Sequence, residues 1–291
     1  MKSISIICPL YNAAEYIEKL HNSFLMQENV NIIDINYILT ESSDRTEEYL
    51  KENHINYKKI QRSEFSHSLV REKSAYESEA DIVVFVTQDV VIEDKNWLYN
   101  LTKDIDNEIV ATYSRQITKY NNIEKYTRER NYPKESSIVS KEDIDKLGLR
   151  TFFFSDASSA INRNVFVELN GYDHKNLPIS EDMYIAYKII MNGYKIKYCA
   201  DSVVYHSHNF TLKQIYDRYK LTGNFMKENA YLDQYGTNGS GADLAKYILK
   251  RILQEHHFKL LLRYPFDMAA RYIGMKVGKR NGKELFDSCC Y

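Results

Sequence analysis

Ile82-Val83-Val84-Phe85-Val86 is an unbroken apolar run, rich in β-branched residues, that stops abruptly at Thr87-Gln88-Asp89. A run of that length and kind reads as a strand buried on both faces, as in a parallel sheet, with the polar triplet delivered to the sheet's carboxyl edge. Open α/β sheets take their ligands at that edge. Asp89 is therefore the first candidate functional carboxylate.

Upstream of this run, strand and helix signals alternate. Ile4 to Cys8 reads as a strand ended by Pro9, and Asn12 as the cap of a helix from about Ala13 to Gln27. Asp34 to Leu39 and Tyr57 to Ile60 are further strands. Asp44-Arg45-Thr46-Glu47 opens the helix between them, and a helix from about Ser68 to Ser78 precedes Ile82. This alternation predicts an α/β protein with a Rossmann-like, mostly parallel sheet flanked by helices. Residues 121–150 turn polar and irregular, like an insertion. Glu181 to Asn192 reads as a helix stopped by Gly193, Lys195 to Tyr198 as a strand, and the chain beyond Leu212 as helical. Residues 236–241, rich in Gly, Ser, Thr and Asn, have no phosphate-loop lysine and read as a linker. The expected organisation is a catalytic body over residues 1–225, divided near 113, followed by a helical extension over 226–291.

With 291 residues, the chain can bury roughly three quarters of its unfolded surface. A formal charge of -1 argues against a dedicated nucleic-acid binder. That sum hides an asymmetry, because residues 241–291 carry ten Lys/Arg against five Asp/Glu. Cys8, Cys199, Cys289 and Cys290 suit neither a disulfide framework nor a zinc site, which implies a reducing compartment. No apolar stretch approaches the length of a membrane span and no signal peptide is visible, so the expectation is a cytoplasmic, soluble or peripheral protein.

Two further polar islands follow Asp89, namely Ser180-Glu181-Asp182 and His206-Ser207-His208. Glu181 and Asp182 fall in the first turn of a helix, where the macrodipole favours ionised carboxylates. That dipole alone can explain them, but an ionised acid can also accept a proton. Asp89, His206 and His208 offer oxygen and imidazole ligands to a Mg²⁺ or Mn²⁺ ion that would neutralise a diphosphate. A lone acid at a strand end, or a His-x-His, is equally compatible with a plain structural role. No Walker lysine motif and no G-x-G-x-x-G is present, which excludes the usual routes to ATP cleavage and dinucleotide redox chemistry.

These motifs, beginning with Cys8-Pro9-Leu10-Tyr11-Asn12 and running through Asp89, Glu181-Asp182 and His206, resemble family 2 glycosyltransferases of the GT-A fold over about residues 3–225. Phe65-Ser66-His67-Ser68-Leu69-Val70-Arg71, Thr87-Gln88-Asp89, Ser114-Arg115-Gln116, Asn131-Tyr132-Pro133, Phe153 to Ala160 and His206-Ser207-His208 are similar to the rhamnosyltransferase branch. The resemblance implies a nucleoside-diphosphate sugar donor, dTDP-rhamnose, with Pro9, Tyr11, Gln88 and Arg71 at the nucleotide and Asp89 at a metal-bound diphosphate. It implies an inverting reaction with Asp182 as the base and Glu181 beside it. His206 and His208 would hold metal or diphosphate, and Arg218 with Gly223 would lie near the diphosphate.

The chain departs from the family pattern at Thr87, where many members place the first acid of an Asp-x-Asp, and at the second strand, where Glu41 or Asp44 must substitute for the usual Asp. Ser68 replaces a usual Gly and Glu72 a usual Asn. Arg115, Gln116, Tyr132, Phe154, Ser155 and Asp156 are candidates for a saccharide or lipid-linked acceptor, because aromatic faces stack on sugars and Arg grips hydroxyls. Core packing explains Phe152 to Phe154 as well. Two other classes remain open on sequence: a binding module without turnover, which would bind donor but release nothing, and a nucleotidyltransferase, which would release pyrophosphate.

In the extension, Leu244, Tyr247, Ile248 and Ile252 share a helical face near Lys246, Lys250 and Arg251. Phe258 and Leu260 to Leu262 with Arg263 repeat the mix. The pattern suits an interfacial helix on a membrane. Packing against the body or a homodimer partner fits it too.

Overall fold

The computed structural model describes residues 1–236 and 240–281. Its first part follows from the alternation: β1 (Ser3–Leu10), α1 (Ile17–Leu25), β2 (Asn31–Thr40), α2 (Thr46–Glu52), β3 (Tyr57–Ile60), α3 (His67–Glu77) and β4 (Ile82–Val86). Here β1 pairs in parallel with β2 and β4, and β2 with β3. All five residues of β4 are buried. Val83 and Phe85 join the layer containing Ile161, Phe166 and Ile189, while Ile82, Val84 and Val86 join the layer containing Leu20, Phe24 and Trp97. Burying each such side chain contributes about 1.5–3 kcal/mol, so a strand apolar on both faces has its place only in the middle of the sheet.

The chain continues through α4 (Trp97–Thr102), β5 (Ile109–Ile117), α5 (Ile123–Asn131), β6 (Ser137–Val139), α6 (Ile144–Leu147), β7 (Ser158–Asn162), α7 (Arg163–Glu168), α8 (Glu181–Met191) and β8 (Lys195–Tyr205). The sheet order is β3-β2-β1-β4-β7-β5-β8-β6. β7 runs antiparallel between β4 and β5, β5 pairs in parallel with β8, and β6 closes the edge antiparallel to β8. The result is the mostly parallel, helix-flanked α/β fold the sequence predicts, with helices following it.

Two local expectations are corrected. Asn12 does not cap α1, which starts at Ile17; it adopts φ 45° and its side chain accepts from the Ser43 backbone N–H at 2.8 Å, tying two loops together. β8 runs on to Tyr205, well past Tyr198. β5 is not legible in the sequence, because its central Thr and Ser mask an apolar pattern. Both strands carry buried hydroxyls that satisfy one another: Ser114 Oγ lies 2.6 Å from Ser158 Oγ and 2.8 Å from Ser202 Oγ, and Trp97 Nε1 donates to Ser114 at 3.1 Å. Once paired, those hydroxyls cost little to bury.

The extension consists of α9 (Leu212–Glu228), α10 (Ser240–Gln254) and α11 (Phe258–Asn281). Residue 225, the predicted end of the body, lies inside α9. Much of the Gly/Ser joint, at residues 237–239, and Cys289 and Cys290 lie outside the described residues. Among the described residues, no helix is long and apolar enough to cross a membrane. α9 and α11 approach through glycines: a Cβ on Gly278 would stand 2.0 Å from the Lys220 carbonyl oxygen, and one on Gly223 2.5 Å from that of Met275. Because backbone must move to admit a side chain, Gly278→Val is expected to cost about 1–3 kcal/mol or more. A melting temperature lowered by several degrees, measured by calorimetry, checks it; an unchanged value refutes the close contact.

Candidate active site

The carboxyl ends of β1, β4 and β8, the start of α8 and one flank of α9 surround a cleft of about 830 Å³. Asp89, Glu181, Asp182, His206 and His208 all line it, so the three polar islands meet around one space. Pro9, Arg71, Gln88, Ser155 and Asp156 share the wall.

The acid pair is presented by a strained turn. Ser180, the residue before α8, sits in the left-handed region at φ 62°, a conformation that costs a non-glycine residue energy and that clusters at functional sites. Glu181 and Asp182 then have different tasks. Glu181 is buried and its Oε1 accepts from Arg71 Nη1 at 2.5 Å, while Arg71, 1% exposed, also donates to the Asp156 carbonyl at 3.3 Å. Asp182 has no ion pair among the described residues. Its Oδ1 accepts the Met183 N–H at 2.7 Å, and burial, then Glu181, then Asp156 push its carboxyl well above the ordinary range. Asp156 accepts from Tyr172 Oη and Ser159 Oγ, each at 2.7 Å, and burial raises it too, against the pull of Arg71.

α3 holds this arrangement in place. Ser68 Oγ donates to the Lys175 carbonyl at 2.6 Å and accepts the Leu177 N–H at 2.8 Å. Glu72 Oε1 accepts the N–H groups of Tyr172 at 2.7 Å and His174 at 3.2 Å. Gly171, at φ 44°, passes so close that a Cβ would lie 2.8 Å from Glu72 Oε1. These bonds fix the loop that runs into Ser180. In sequence, Ser68 and Glu72 stood out only as departures from the family pattern. His67, quoted within a motif but given no role, lines the cleft, and burial with Arg71 and Arg218 lowers its imidazole to about 3.

Asp89, His206 and His208 offer ligand atoms that all lie within 4.8 Å of one another. His206 Nε2 and His208 Nδ1 stand 3.5 and 3.6 Å from Asp89 Oδ2. The opposite nitrogen of His206 lies 2.8 Å from Gln116 Oε1, which also accepts from Arg128 Nη1. Gln116 Oε1 only accepts and draws the proton to Nδ1, while Arg128 Nη1, 3.3 Å from the same nitrogen, favours the other tautomer; with the proton on Nδ1 the Nε2 lone pair faces Asp89. Burial, followed by Arg128 and His208, holds His206 well below its usual value, and burial lowers His208 more than Asp89 raises it. One carboxylate and two neutral imidazoles fit a divalent cation such as Mn²⁺ better than Mg²⁺, which prefers oxygen throughout. On the same wall the buried Thr87 hydroxyl has no hydrogen-bond partner among the described residues.

At the predicted nucleotide end, Gln88 brackets Tyr11, accepting its N–H at 2.7 Å and donating to its carbonyl at 2.9 Å, which joins β1 to β4. Asp44 is occupied structurally, accepting from Ala14 N–H at 2.9 Å and from Thr46 Oγ1 at 2.5 Å. Against the upward push of burial, those bonds hold its carboxyl below the usual value. Glu41 is exposed beyond the cleft. At the predicted acceptor end, Tyr132 and Phe154 are 5% and 3% exposed and pack edge-on against Tyr113 in the core. Gln116 serves His206. Arg115 is half-buried, with its Nε unpartnered among the described residues. Ser155 and Asp156 remain on the cleft wall. Arg218 lies there too, 5.0 Å over the Phe210 ring and without an ion pair among the described residues.

A mixed sheet with its acids and imidazoles gathered at the carboxyl edge defines a glycosyltransferase of the GT-A type. The chain belongs to glycosyl transferase family 2, whose sequence model matches residues 5–169. It is 35% identical to the O-antigen chain rhamnosyltransferase WbaN of Salmonella anatum, over 100% of this chain and 94% of that one. It is 30% identical to the O-antigen chain rhamnosyltransferase RfbN of Salmonella typhimurium, over 99% and 93%. Among solved structures, the mannosyltransferase PcManGT from Pyrobaculum calidifontis, in complex with GDP-Man and Mn²⁺, superposes with a TM-score of 0.58 at 15% identity, covering 97% of this chain and 76% of that one. TarS 1-349 of S. aureus, in complex with UDP-GlcNAc, gives 0.52 at 18% identity, covering 99% and 94%. These two likenesses concern the fold.

Proposed function

We propose that this glycosyltransferase moves rhamnose, with inversion, from dTDP-rhamnose to a hydroxyl of a saccharide or lipid-linked acceptor in cytoplasmic assembly of a surface polysaccharide. The observation that carries it is the meeting of Asp89, Asp182 and His206 in a cleft whose volume suits a nucleotide sugar. Two relatives named as rhamnosyltransferases over the whole chain support the sugar.

Asp182, with no ion pair among the described residues, takes the acceptor proton as the hydroxyl oxygen bonds to the anomeric carbon. The bond to the diphosphate breaks on the opposite face, and its electron pair leaves with the diphosphate. Asp89, His206 and His208 would hold a divalent cation, which when bound neutralises diphosphate charge. Arg218 adds a fixed positive charge on the same wall, and preorganised charge of this kind is commonly the largest catalytic contribution. The readings as a binding module or a nucleotidyltransferase draw no support from either relative.

A panel of nucleotide sugars with Mn²⁺ tests the reading. Nucleoside diphosphate should appear with dTDP-rhamnose and an acceptor glycan; silence with every donor overturns it. The His206 assignment has its own test. Gln116→Leu removes the acceptor of the Nδ1 proton, and losing such an outer partner weakens metal binding roughly 10- to 100-fold. Calorimetric titration of Mn²⁺ in the presence of dTDP should show that fall, and equal affinity would remove the metal from these residues.

A further inference from the structure

The extension leaves bare only part of the apolar surface its sequence suggests: Phe258 and Leu262 stay exposed, while the α10 stripe is covered. On α10, Ile248 and Ile252 are fully buried against Ile123 and Tyr126 of α5, with Leu244 packed beside them. The expected membrane-facing stripe is thus the internal seam. What remains exposed is the outer side of α11, where Phe258, Leu262, Phe266 and Ile273 are 58%, 78%, 62% and 50% accessible. At about 100° per residue these four fall within a sector of about 80°, and from Phe258 to Lys276 the stripe is about 27 Å long. On α10, Leu249 and Leu253 are exposed as well.

The unpaired charges around this stripe are mostly of one sign. Lys246, Lys250, Lys259 and Lys276 are exposed, and none has an ion pair among the described residues. The carboxylates nearby are committed elsewhere: Asp267 to Arg271, and Glu255 to Lys125 and Arg251. Asp243, one turn before Lys246 in α10, is the exposed exception. A symmetric contact between two copies would set unpaired lysines against lysines, whereas an anionic lipid layer offers phosphates at the rim and acyl chains to the stripe.

We propose that this outer face of α10 and α11 docks on an anionic membrane surface. The cleft lies close to it. Arg263, next to Leu262, donates to the carbonyl of Phe210, and Phe210 stacks on His208 at 4.6 Å. Docking would therefore set the cleft beside the lipid surface, where an acceptor hydroxyl carried by a lipid could enter. The proposal is independent of the donor sugar, since a chain inactive with every nucleotide sugar could still bind vesicles.

The test is sedimentation of the full chain with vesicles of phosphatidylethanolamine and phosphatidylglycerol, against vesicles of phosphatidylcholine alone. Binding to the anionic vesicles is expected to weaken with salt and to fall at least tenfold in Leu262→Glu/Phe266→Glu. The variant's circular dichroism should match the wild type, because both positions are exposed. Lys250→Glu/Lys259→Glu/Lys276→Glu should erase the preference for anionic lipid. Equal binding to both vesicle types, or binding that neither variant alters, overturns the proposal. A stable dimer in the ultracentrifuge that Leu262→Glu/Phe266→Glu dissociates also overturns it, by assigning the face to a second copy.

Discussion

Asp182→Asn is expected to reduce sugar transfer by roughly 10² to 10⁴, the usual worth of a positioned general base, while donor binding persists. It should also make the protein more stable at neutral pH, and the sign follows from the raised carboxyl. Below the ordinary carboxylate range the side chain is protonated in the folded and the unfolded chain, and the substitution changes little. Above that range the unfolded chain has lost its proton while the folded one, with Asp182 buried beside Glu181 and Asp156, still holds it. The unfolded state then binds fewer protons, so the stability of the native chain declines as pH rises through that window. Asparagine removes the liability. Melting curves of the two proteins should coincide in acid and separate as pH rises, with the variant higher, while wild-type kcat/KM climbs over the same interval as the base ionises. Full transfer by the variant removes Asp182 from the reaction. Loss of transfer without the pH-dependent gain in stability removes the crowding of charges as its setting.

The parallel half of the sheet was legible because, Ser5 and Thr40 apart, its strands bury apolar residues, so Ile82–Val86 announced both the strand and its place in the centre. β5 and the far half of β8 were not, because Ser114, Ser158 and Ser202 satisfy one another across the sheet, a pairing no single segment displays. The same limit applied in the cleft. That Asp89, Glu181-Asp182 and His206-Ser207-His208 belong together could be argued from their positions at element ends. What separates Glu181 from Asp182 is Arg71, 110 residues away in sequence, and what turns Gln116 toward His206 is the side-by-side pairing of β5 with β8. Tyr132 and Phe154 looked like sugar platforms because aromatic residues serve cores and ligands alike; burial decided for the core. In the extension, periodicity located two apolar faces, but contact with Ile123 and Tyr126 of α5 determined which one was covered.

Removing the Glu181 carboxylate is expected to be the most destabilising single change at the site. Arg71 is 1% exposed, its Nε has no partner among the described residues, and the carboxylate of Glu181 is its salt-bridge partner. Breaking a buried pair from one side strands the other charge in a low-dielectric interior, which costs about 3–5 kcal/mol. Glu181→Ala should accordingly show a lower urea midpoint with an unchanged slope. The same reasoning predicts that Arg71→Met/Glu181→Leu recovers most of the loss, since two apolar side chains of similar bulk carry no charge to strand. The double variant should thus be more stable than Glu181→Ala, a coupling of the sign and size found for residues in direct contact. If Glu181→Ala costs under about 1 kcal/mol, the value typical of an exposed pair, then Arg71 is solvated in solution and does not hold Glu181. If the single change is costly but the double is no better, the carboxylate supports the start of α8 by itself and the division of labour between Glu181 and Asp182 has to be drawn without Arg71.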